Sequence, residues 1–311
     1  MHTIYSFRKA LKKLNIEKYT KNGSTWIDLQ QPTKAELTFL KNQIKLHPIT
    51  LEDIQSISTP VKYESFDDYH FIVFKGIKKV HRHSVDACRI YFIITKDLLI
   101  TVHDLLIDSI ENQKNDEKKL SDLLNKGTDY LLHNLLDMEV DNYFPFVKKL
   151  EKEIDKLDDL ISHDPEHKNF DELFDKKSIM QSIRRSLTSL TEIFAKILRS
   201  EKYVRPEVLV YFRDVYDHII RLDQSLLRSR DQISSTVSEH LAVSSTRMND
   251  IIKILTMITT LLMPLSLITG LYGMNVPLPG QGNTSALIVI FIVMLIISIS
   301  MLIFFRKKKW I

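Results

Sequence analysis

The sequence predicts a mixed α/β body, then one long stalk helix, and two transmembrane helices at the C-terminal end. Three observations carry that prediction. In the first 110 residues, runs rich in β-branched and aromatic residues alternate with helical periodicity. From Ser109 onward the pattern is helical and heavily charged. Residues 254–272 and 286–305 then contain no charged side chain at all. Each of these runs is about 20 residues long, enough for a helix to cross a hydrocarbon core of roughly 30 Å. One such run also suits a buried core helix; two in succession at the end of a chain that is otherwise 26% charged favour a membrane.

The α/β body is assigned to residues 1–108. Its expected strands are STWIDL (24–29), YHFIVFKGI (69–77), CRIYFIIT (88–95) and LLITVH (98–103). Between the first two lies a helical segment, TKAELTFLKNQIKL (33–46), in which Thr33 followed by Glu36 forms a capping-box pattern. The stretch KGIKKVHRHSVDAC is a polar, exposed hairpin. Residues 109–205 read as a helical hairpin, with one long helix over 130–161, a turn at SHDPEHKNF, and a second helix over 176–200. A third helix starts at Pro206, a good first-turn residue, and meets no strong stop before Gly270. Its apolar positions Phe212, Val215, Ile219, Leu222, Leu226, Ile233 and Val237 step by three, four or seven, a stripe that asks for partner helices. From Pro206 to Gly270 is about 64 steps, roughly 95 Å of helix. The stalk is assigned to 206–250, the first span to 251–272, an outer loop to 273–285, the second span to 286–305 and a basic tail to 306–311.

Charge placement orients the spans. Arg306, Lys307, Lys308 and Lys309 follow the second span, whereas Val276 to Ser285 carries no charge of either sign. Basic residues stay on the cytosolic side, so both termini are expected in the cytosol and the short loop outside. The N-terminal MHTIYSFRKALKKLN has no apolar run and reads as no signal peptide. The single Cys88 excludes an internal disulfide and suits a reducing compartment.

The two spans differ in kind. The second is apolar nearly all round, interrupted only by Ser298 and Ser300. In the first, Ile252, Thr256, Thr259, Met263, Ser266 and Gly270 fall within an arc of about 80°. Continued toward the stalk, the arc takes in Ser245 and, at its edge, Asn249. Small and hydroxyl-bearing residues let helices pack closely in a bilayer, and they can equally line a polar path. Two spans cannot enclose a pore, but a ring of identical chains can, so the pattern implies a cyclic homo-oligomer. Pro264 inside the span is a tolerated kink.

Four of the seven glycines, Gly270, Gly273, Gly280 and Gly282, crowd the loop between the spans. Gly270 and Gly273 are expected to end the helix and bare its carbonyls, and Asn275 adds one neutral amide oxygen per chain. A ring of uncharged oxygens suits a strongly hydrated cation, because it bonds to the ion's waters without stripping them. A helix C-cap followed by a turn is the plainer reading of the same residues.

A C-terminal pair of spans, YGMN closing the first and RKKKWI closing the chain resembles the CorA family of magnesium and divalent cation transporters. WIDLQQPTKAEL (26–37), LHPITLEDI (46–54), FDDYHFIVF (66–74), FRDVYDH (212–218) and residues 248–275 also resemble that family's recurring segments. The resemblance implies a funnel-shaped homopentamer in the cell (inner) membrane, with Gly273, Met274 and Asn275 as a selectivity filter. It implies that Asn249, Met263 and Ser266 face the ion path; the helical arc reached Met263 and Ser266 by itself. It further implies that Mg2+ is both the transported and the regulatory ion, with Co2+ as a second permeant ion. Glu52, Asp53, Asp137 and Asp214 match the carboxylates that, in the family, bind Mg2+ between neighbouring cytosolic domains and hold the channel shut.

The chain departs from the family in its outer loop, where VPLPGQGN carries no acid, and in the stalk, where Ser238 lies beside Glu239 and His240. Gly-Met-Asn rather than Gly-Ile-Asn favours magnesium over zinc. The sequence contains no phosphate-binding glycine loop, paired-Cys motif or His-Glu-x-x-His, and neither an enzyme nor a nucleic-acid-binding reading has support. Uptake needs no such machinery. At an interior-negative potential of roughly 150 mV a divalent ion gains about 7 kcal/mol on entry. Two other readings remain: a zinc, cobalt or nickel transporter of the same architecture, hinted at by the many histidines although His81 and His83 read as solvated in a polar hairpin, and a membrane-anchored sensor that conducts nothing.

Overall fold

The computed structural model describes residues 2–7, 11–14, 23–56, 58–81, 84–163, 170–200, 202–276, 278–280 and 284–310. They divide into two compact units, Met1–Thr236 and Val237–Ile311.

In the first unit, strands β1 (His2–Phe7), β2 (Leu11–Leu14), β3 (Ser24–Gln30), β4 (Lys62–Ser65), β5 (His70–Val80), β6 (Val85–Ile94) and β7 (Leu98–His103) form one sheet in the order β2-β1-β3-β7-β6-β5-β4. β3 and β7 pair in parallel at its centre, Ile27 opposite Ile100; the other pairs are antiparallel. All six residues of β7 and five successive residues of β3 are buried. Continuous burial without in-out alternation means that both faces of the sheet centre are covered. One face carries Ile27, Leu29, Phe71, Val73, Ile93, Ile100 and Val102, packed with Leu37 and Leu40 of α1 (Lys34–Ile44) and Ile54 of α2 (Pro48–Gln55). Thr33 caps α1 as expected. Its backbone N–H donates to Glu36 Oε2 at 2.7 Å, and its hydroxyl accepts from Glu36 N. Helices α3 (Asp108–Asn115), α4 (Glu117–Lys126) and α5 (Thr128–Asp141) follow, with α5 packed on the sheet. Then come α6 (Tyr143–His163), α7 (Phe170–Leu198) and the 67-residue α8 (Pro206–Tyr272), which crosses into the second unit; α9 (Thr284–Lys307) completes that unit.

The four expected strands form within a few residues of their sequence limits. The hairpin is longer in strand than its polarity suggests: β5 and β6 stay paired out to Val80 and Val85. There His81 Nε2 lies 2.7 Å from Asp86 Oδ2, while His83 lies outside the described residues. The helix expected over 130–161 is two helices. Pro145 falls in the first turn of the second, where its missing N–H is harmless; within one continuous helix its ring would clash with the carbonyl four residues earlier. α8 runs through Pro264 and past Gly270 to Tyr272, so Gly270 does not end the helix.

A polar chain is sealed into the sheet. Trp26 Nε1 donates to Thr101 Oγ1 (3.0 Å), which donates to Asp28 Oδ1 (2.5 Å). His103 Nε2 lies 3.1 Å from the same oxygen, and Lys114 Nζ lies 2.7 Å from Asp28 Oδ2. Asp28 and His103 are completely buried. Burial alone would raise the Asp28 pKa, but the hydrogen bond and charge of His103, then the charge of Lys114, outweigh it and hold it below the ordinary carboxylate value. Such a lowered pKa contributes stability that is present above the unfolded-state value and lost as pH falls through the folded-state value. Asp28→Ala, which leaves buried His103 without its carboxylate and Lys114 with Glu111 alone, is expected to cost about 3–5 kcal/mol in denaturant unfolding at neutral pH, shrinking toward acid. An unchanged midpoint at neutral pH would contradict this.

Candidate metal centre and ion path

Asp137 and Asp141 stand one turn apart on α5, and Asp214 and His218 one turn apart on α8. The fold brings the two pairs together. One ligand atom each from Asp137, Asp141 and His218 lie within 4.8 Å of one another. His218 Nδ1 is 3.3 Å from Asp141 Oδ1, and Nε2 is 3.7 Å from Asp214 Oδ2. Phe144 sits edge-on to the imidazole at 5.7 Å. The Asp137 pKa is raised, first by burial and then by the neighbouring Asp141 charge; His218 opposes that shift and Asp214 adds to it. Burial also lowers the pKa of nearby His133. Crowded carboxylate oxygens of this kind gain when a cation enters. Mg2+ is held by one or two carboxylates and its remaining waters, whereas the imidazole adds a ligand that suits Co2+ or Zn2+.

Of the four carboxylates singled out in the sequence, Asp137 belongs to this cluster, and Asp214 stands beside it through His218. Glu52 is exposed on α2, and neither it nor Asp53 belongs to the cluster. Asp53 Oδ2 is 2.6 Å from Lys62 Nζ, which Glu64 shares at 2.9 Å. Burial works against the Lys62 charge, yet the bonds to Asp53 and Glu64 prevail and raise its pKa. To reach a cation, Asp53 must give up that lysine. The sequence reading missed Asp141 and His218. Their signal was present as two i,i+4 pairs, one in LLDMEVD and one in FRDVYDH.

In the second unit, Asn249, Ile252, Thr256, Thr259, Met263, Ser266 and Gly270 are all exposed. Met263 is 73% exposed. The half-buried residues of the same segment are Met257, Thr260, Leu261, Pro264, Leu265 and Ile268. Their mean direction lies about 150° around the helix from the polar stripe. On α9 the half-buried residues include Ile290, Met294, Ile297 and Met301, also at helical spacing. The two helices thus shield apolar faces and leave the polar stripe of α8 uncovered. Thr256 Oγ1 donates to Ile252 O (2.7 Å) and Thr259 Oγ1 to Leu255 O (2.8 Å). These bonds use up the hydroxyl protons and leave oxygen lone pairs outward. α8 and α9 are both long and apolar enough to cross a membrane.

Past Tyr272, Gly273 N donates to Thr269 O (2.9 Å) and Met274 N to Leu271 O (3.3 Å). Gly273, Met274 and Asn275 are exposed. Carbonyls expected to be bared at this end are therefore partly used by the closing turn. Within the described part of the loop, left-handed backbone occurs at Gly280 (φ 83°), where a Cβ would meet Ala286 Cβ at 2.7 Å. The backbone freedom read at Gly270 and Gly273 is needed there instead.

Residues 21–307 match the protein family described as CorA-like Mg2+ transporter protein. The chain is 30% identical over 291 residues to the cobalt/magnesium transport protein CorA of Thermotoga maritima, covering 92% of this chain and 83% of that one. It is 27% identical over 307 residues to the putative metal ion transporter YfjQ of Bacillus subtilis, covering 97% and 95%. Among solved structures, the complete CorA magnesium transporter from Methanocaldococcus jannaschii superposes with a TM-score of 0.84 at 22% identity, covering 100% of this chain and 99% of that one. That last likeness is one of fold.

Because its pKa is raised in the fold, Asp137 contributes stability at low pH that is lost as pH rises through the folded-state value. Asp137→Asn is expected to raise the thermal midpoint of the metal-free protein at neutral pH and to shrink the further rise that Mg2+ or Co2+ produces. A variant that loses stability in EDTA would show that the Asp137 charge is not resisted in the fold, and one that responds fully to both ions would show that Asp137 holds no cation.

Proposed function

The chain belongs to the CorA-like Mg2+ transporter protein family, and on that premise we propose that it carries a hydrated divalent cation, Mg2+ first, into the cell through a pore made by a ring of identical chains. The observation that carries this reading is the uncovered polar stripe of α8, which lies on the side away from α9 and runs toward an exposed Gly273-Met274-Asn275. A helix that merely anchors a protein has no use for such a stripe. With α8 innermost and α9 toward lipid, each chain contributes Asn249, Ile252, Thr256, Thr259, Met263, Ser266 and Gly270 to the path. Asn275 contributes a neutral oxygen at its mouth. The ring is a pentamer, as the family resemblance implies.

Residues 206–250 form the stalk, 251–272 the pore-lining span, 273–285 the outer loop and 286–305 the second span. The basic tail 306–311 and the α/β and helical segments (1–108 and 109–205) lie in the cytosol of an inner-membrane protein, following the charge rule. Influx is driven by the membrane potential and needs no chemical fuel. It does need a brake. Asp137, Asp141, Asp214 and His218, with Glu52 and Asp53 presented by the neighbouring chain, supply one. Mg2+ bound there favours the closed state by the difference in its affinity for the two states.

A second reading has one specific observation in its favour. His218 adds nitrogen to the carboxylate cluster, and an imidazole prefers Co2+, Ni2+ or Zn2+ to Mg2+. The Thermotoga relative is named for both cobalt and magnesium.

Purified protein sealed in liposomes with a trapped magnesium dye, under an inside-negative potential, tests both. Wild type is expected to take up Mg2+ and Asn275→Ala to lose at least about tenfold of the rate, a loss of roughly 1.4 kcal/mol at the filter. Flux of Co2+ or Zn2+ without Mg2+ would replace the main reading by the second. Silence with every ion, from an intact oligomer, would leave a sensor.

A further inference from the structure

The first unit contains a cleft that ion conduction does not use. Its volume is about 410 Å3, and Lys96, Lys126, Lys202 and Arg205 line it against two acids, Asp97 and Asp129. One of those acids is already committed. Arg205 grips Asp129 with both edges of its fork, Nη2 to Oδ1 at 2.7 Å and Nε to Oδ2 at 2.8 Å, and also donates to the Lys126 carbonyl at 2.5 Å. Gly127 makes room for that fork: a Cβ there would stand 2.5 Å from Arg205 Nη2, on a backbone with φ 136°. The pair is a neutral, rigid wall.

What remains is an excess of positive charge. Lys202 Nζ donates to the Asp67 carbonyl, and Tyr203 Oη donates to the same oxygen at 2.7 Å. A carbonyl fixes the ammonium without cancelling its charge. Among the described residues, neither Lys96 nor Lys126 has a carboxylate within ion-pair distance; Lys126 Nζ lies 5.7 Å from the Tyr130 ring instead. Three ammoniums therefore share a concave site with Asp97, and among the described residues Glu207 stands 3.3 Å from Arg205 Nη1. A ligand anion relieves that repulsion. The Ser24 hydroxyl, the Asn125 amide and the ring of Tyr203 complete the lining. Neutral donors beside clustered ammoniums recognise an oxyanion of high charge, and the volume exceeds what a bare tetrahedral anion fills.

We propose that this cleft binds a phosphate-bearing small molecule, a polyphosphate or a nucleotide. The site joins the start of β3, the β6–β7 turn, the α4–α5 junction and the α7–α8 linker. It also shares its two helices with the carboxylate cluster. From Gly127 to Asp137 along α5, and from Arg205 to Asp214 along α8, the helical rise amounts to about 15 Å. The anion site itself does not depend on the transport reading.

The full-length protein in detergent, at low salt and in EDTA, is titrated calorimetrically with inorganic phosphate, tripolyphosphate and ATP. The expected result is saturable binding of tripolyphosphate or ATP, weakened at least about tenfold by the double substitution Lys96→Glu/Lys126→Glu and unaltered by Lys149→Glu, whose side chain is 75% exposed on α6. ATP binding tighter than tripolyphosphate, with Tyr203→Ala abolishing the difference, identifies a nucleotide; equal binding identifies the polyphosphate chain. Circular dichroism checks the fold of each variant, and Lys96→Gln/Lys126→Gln replaces the charge reversal should that disturb it. No saturation by either polyphosphate at millimolar concentration, saturation by inorganic phosphate alone, or binding indifferent to both lysine pairs would overturn the assignment.

Discussion

The continuity of α8 is the constraint on which the rest of this structure depends. One helix, Pro206–Tyr272, carries Asp214 and His218 near its start and the polar stripe near its end. An α-helix fixes the direction of every side chain it bears, at 100° and about 1.5 Å per residue. The apolar steps from Phe212 to Ile233 are buried in the first unit and set the rotation of that segment. Asp214 and His218 then have to face α5, where Asp137 and Asp141 stand at the matching one-turn spacing. In the later segment the same periodicity sorts half-covered apolar residues from an exposed polar arc. Pro264 removes one rung, and the helix continues through it.

The centre of the sheet was legible because β5, β7 and the second half of β6 are buried and spell near-continuous apolar runs, while β3 carries Trp26, Ile27 and Leu29 among its buried residues. The edges were not. KYES of β4 and LKKL of β2 are short and Lys-bearing, as edge strands that resist further pairing tend to be, and the same polarity hides them from a reading that looks for apolar runs. α1 was legible down to its cap because Thr33 and Glu36 satisfy each other locally. The break between α5 and α6 rests on Pro145 within an otherwise helical pattern, where periodicity alone reads straight across. The same limit applies to the site. The arc on α8 follows from counting along one helix, whereas pairing Asp137 with His218 requires knowing that α5 and α8 adjoin.

The carboxylates of the first unit fall into two electrostatic classes, and the contrast separates structure from chemistry. Asp28 is fully buried with His103 and Lys114 beside it, and its charge is favoured. Asp53 is matched by Lys62. Asp137 is half-buried with Asp141 and Asp214 within reach of its charge, and its ionisation is resisted. Balanced acids hold a fold together whether or not a metal is present. Burial first and like-charged neighbours second resist the Asp137 charge, and either a proton or a cation relieves that resistance, so the two compete for the same oxygens. Stability in that cluster would therefore depend on its occupant, as the proposed regulatory role requires.

The proposed path has a consistent polarity of its own. Thr256 and Thr259 turn their hydroxyl protons back to Ile252 and Leu255 carbonyls, leaving acceptor oxygens on the exposed arc. Asn275 adds an amide oxygen at the exposed helix end, and no charged side chain lies between residues 254 and 305. A hydrated divalent cation presents the opposite surface, because its inner waters point their hydrogens outward. Acceptors bond to those hydrogens and leave the ion's coordination shell intact, whereas a fixed carboxylate would compete for the ion itself and hold it. A path lined by neutral acceptors thus favours passage over retention, and the clustered carboxylates lie on α5 and the early part of α8 instead, where the proposed regulatory ion would be held.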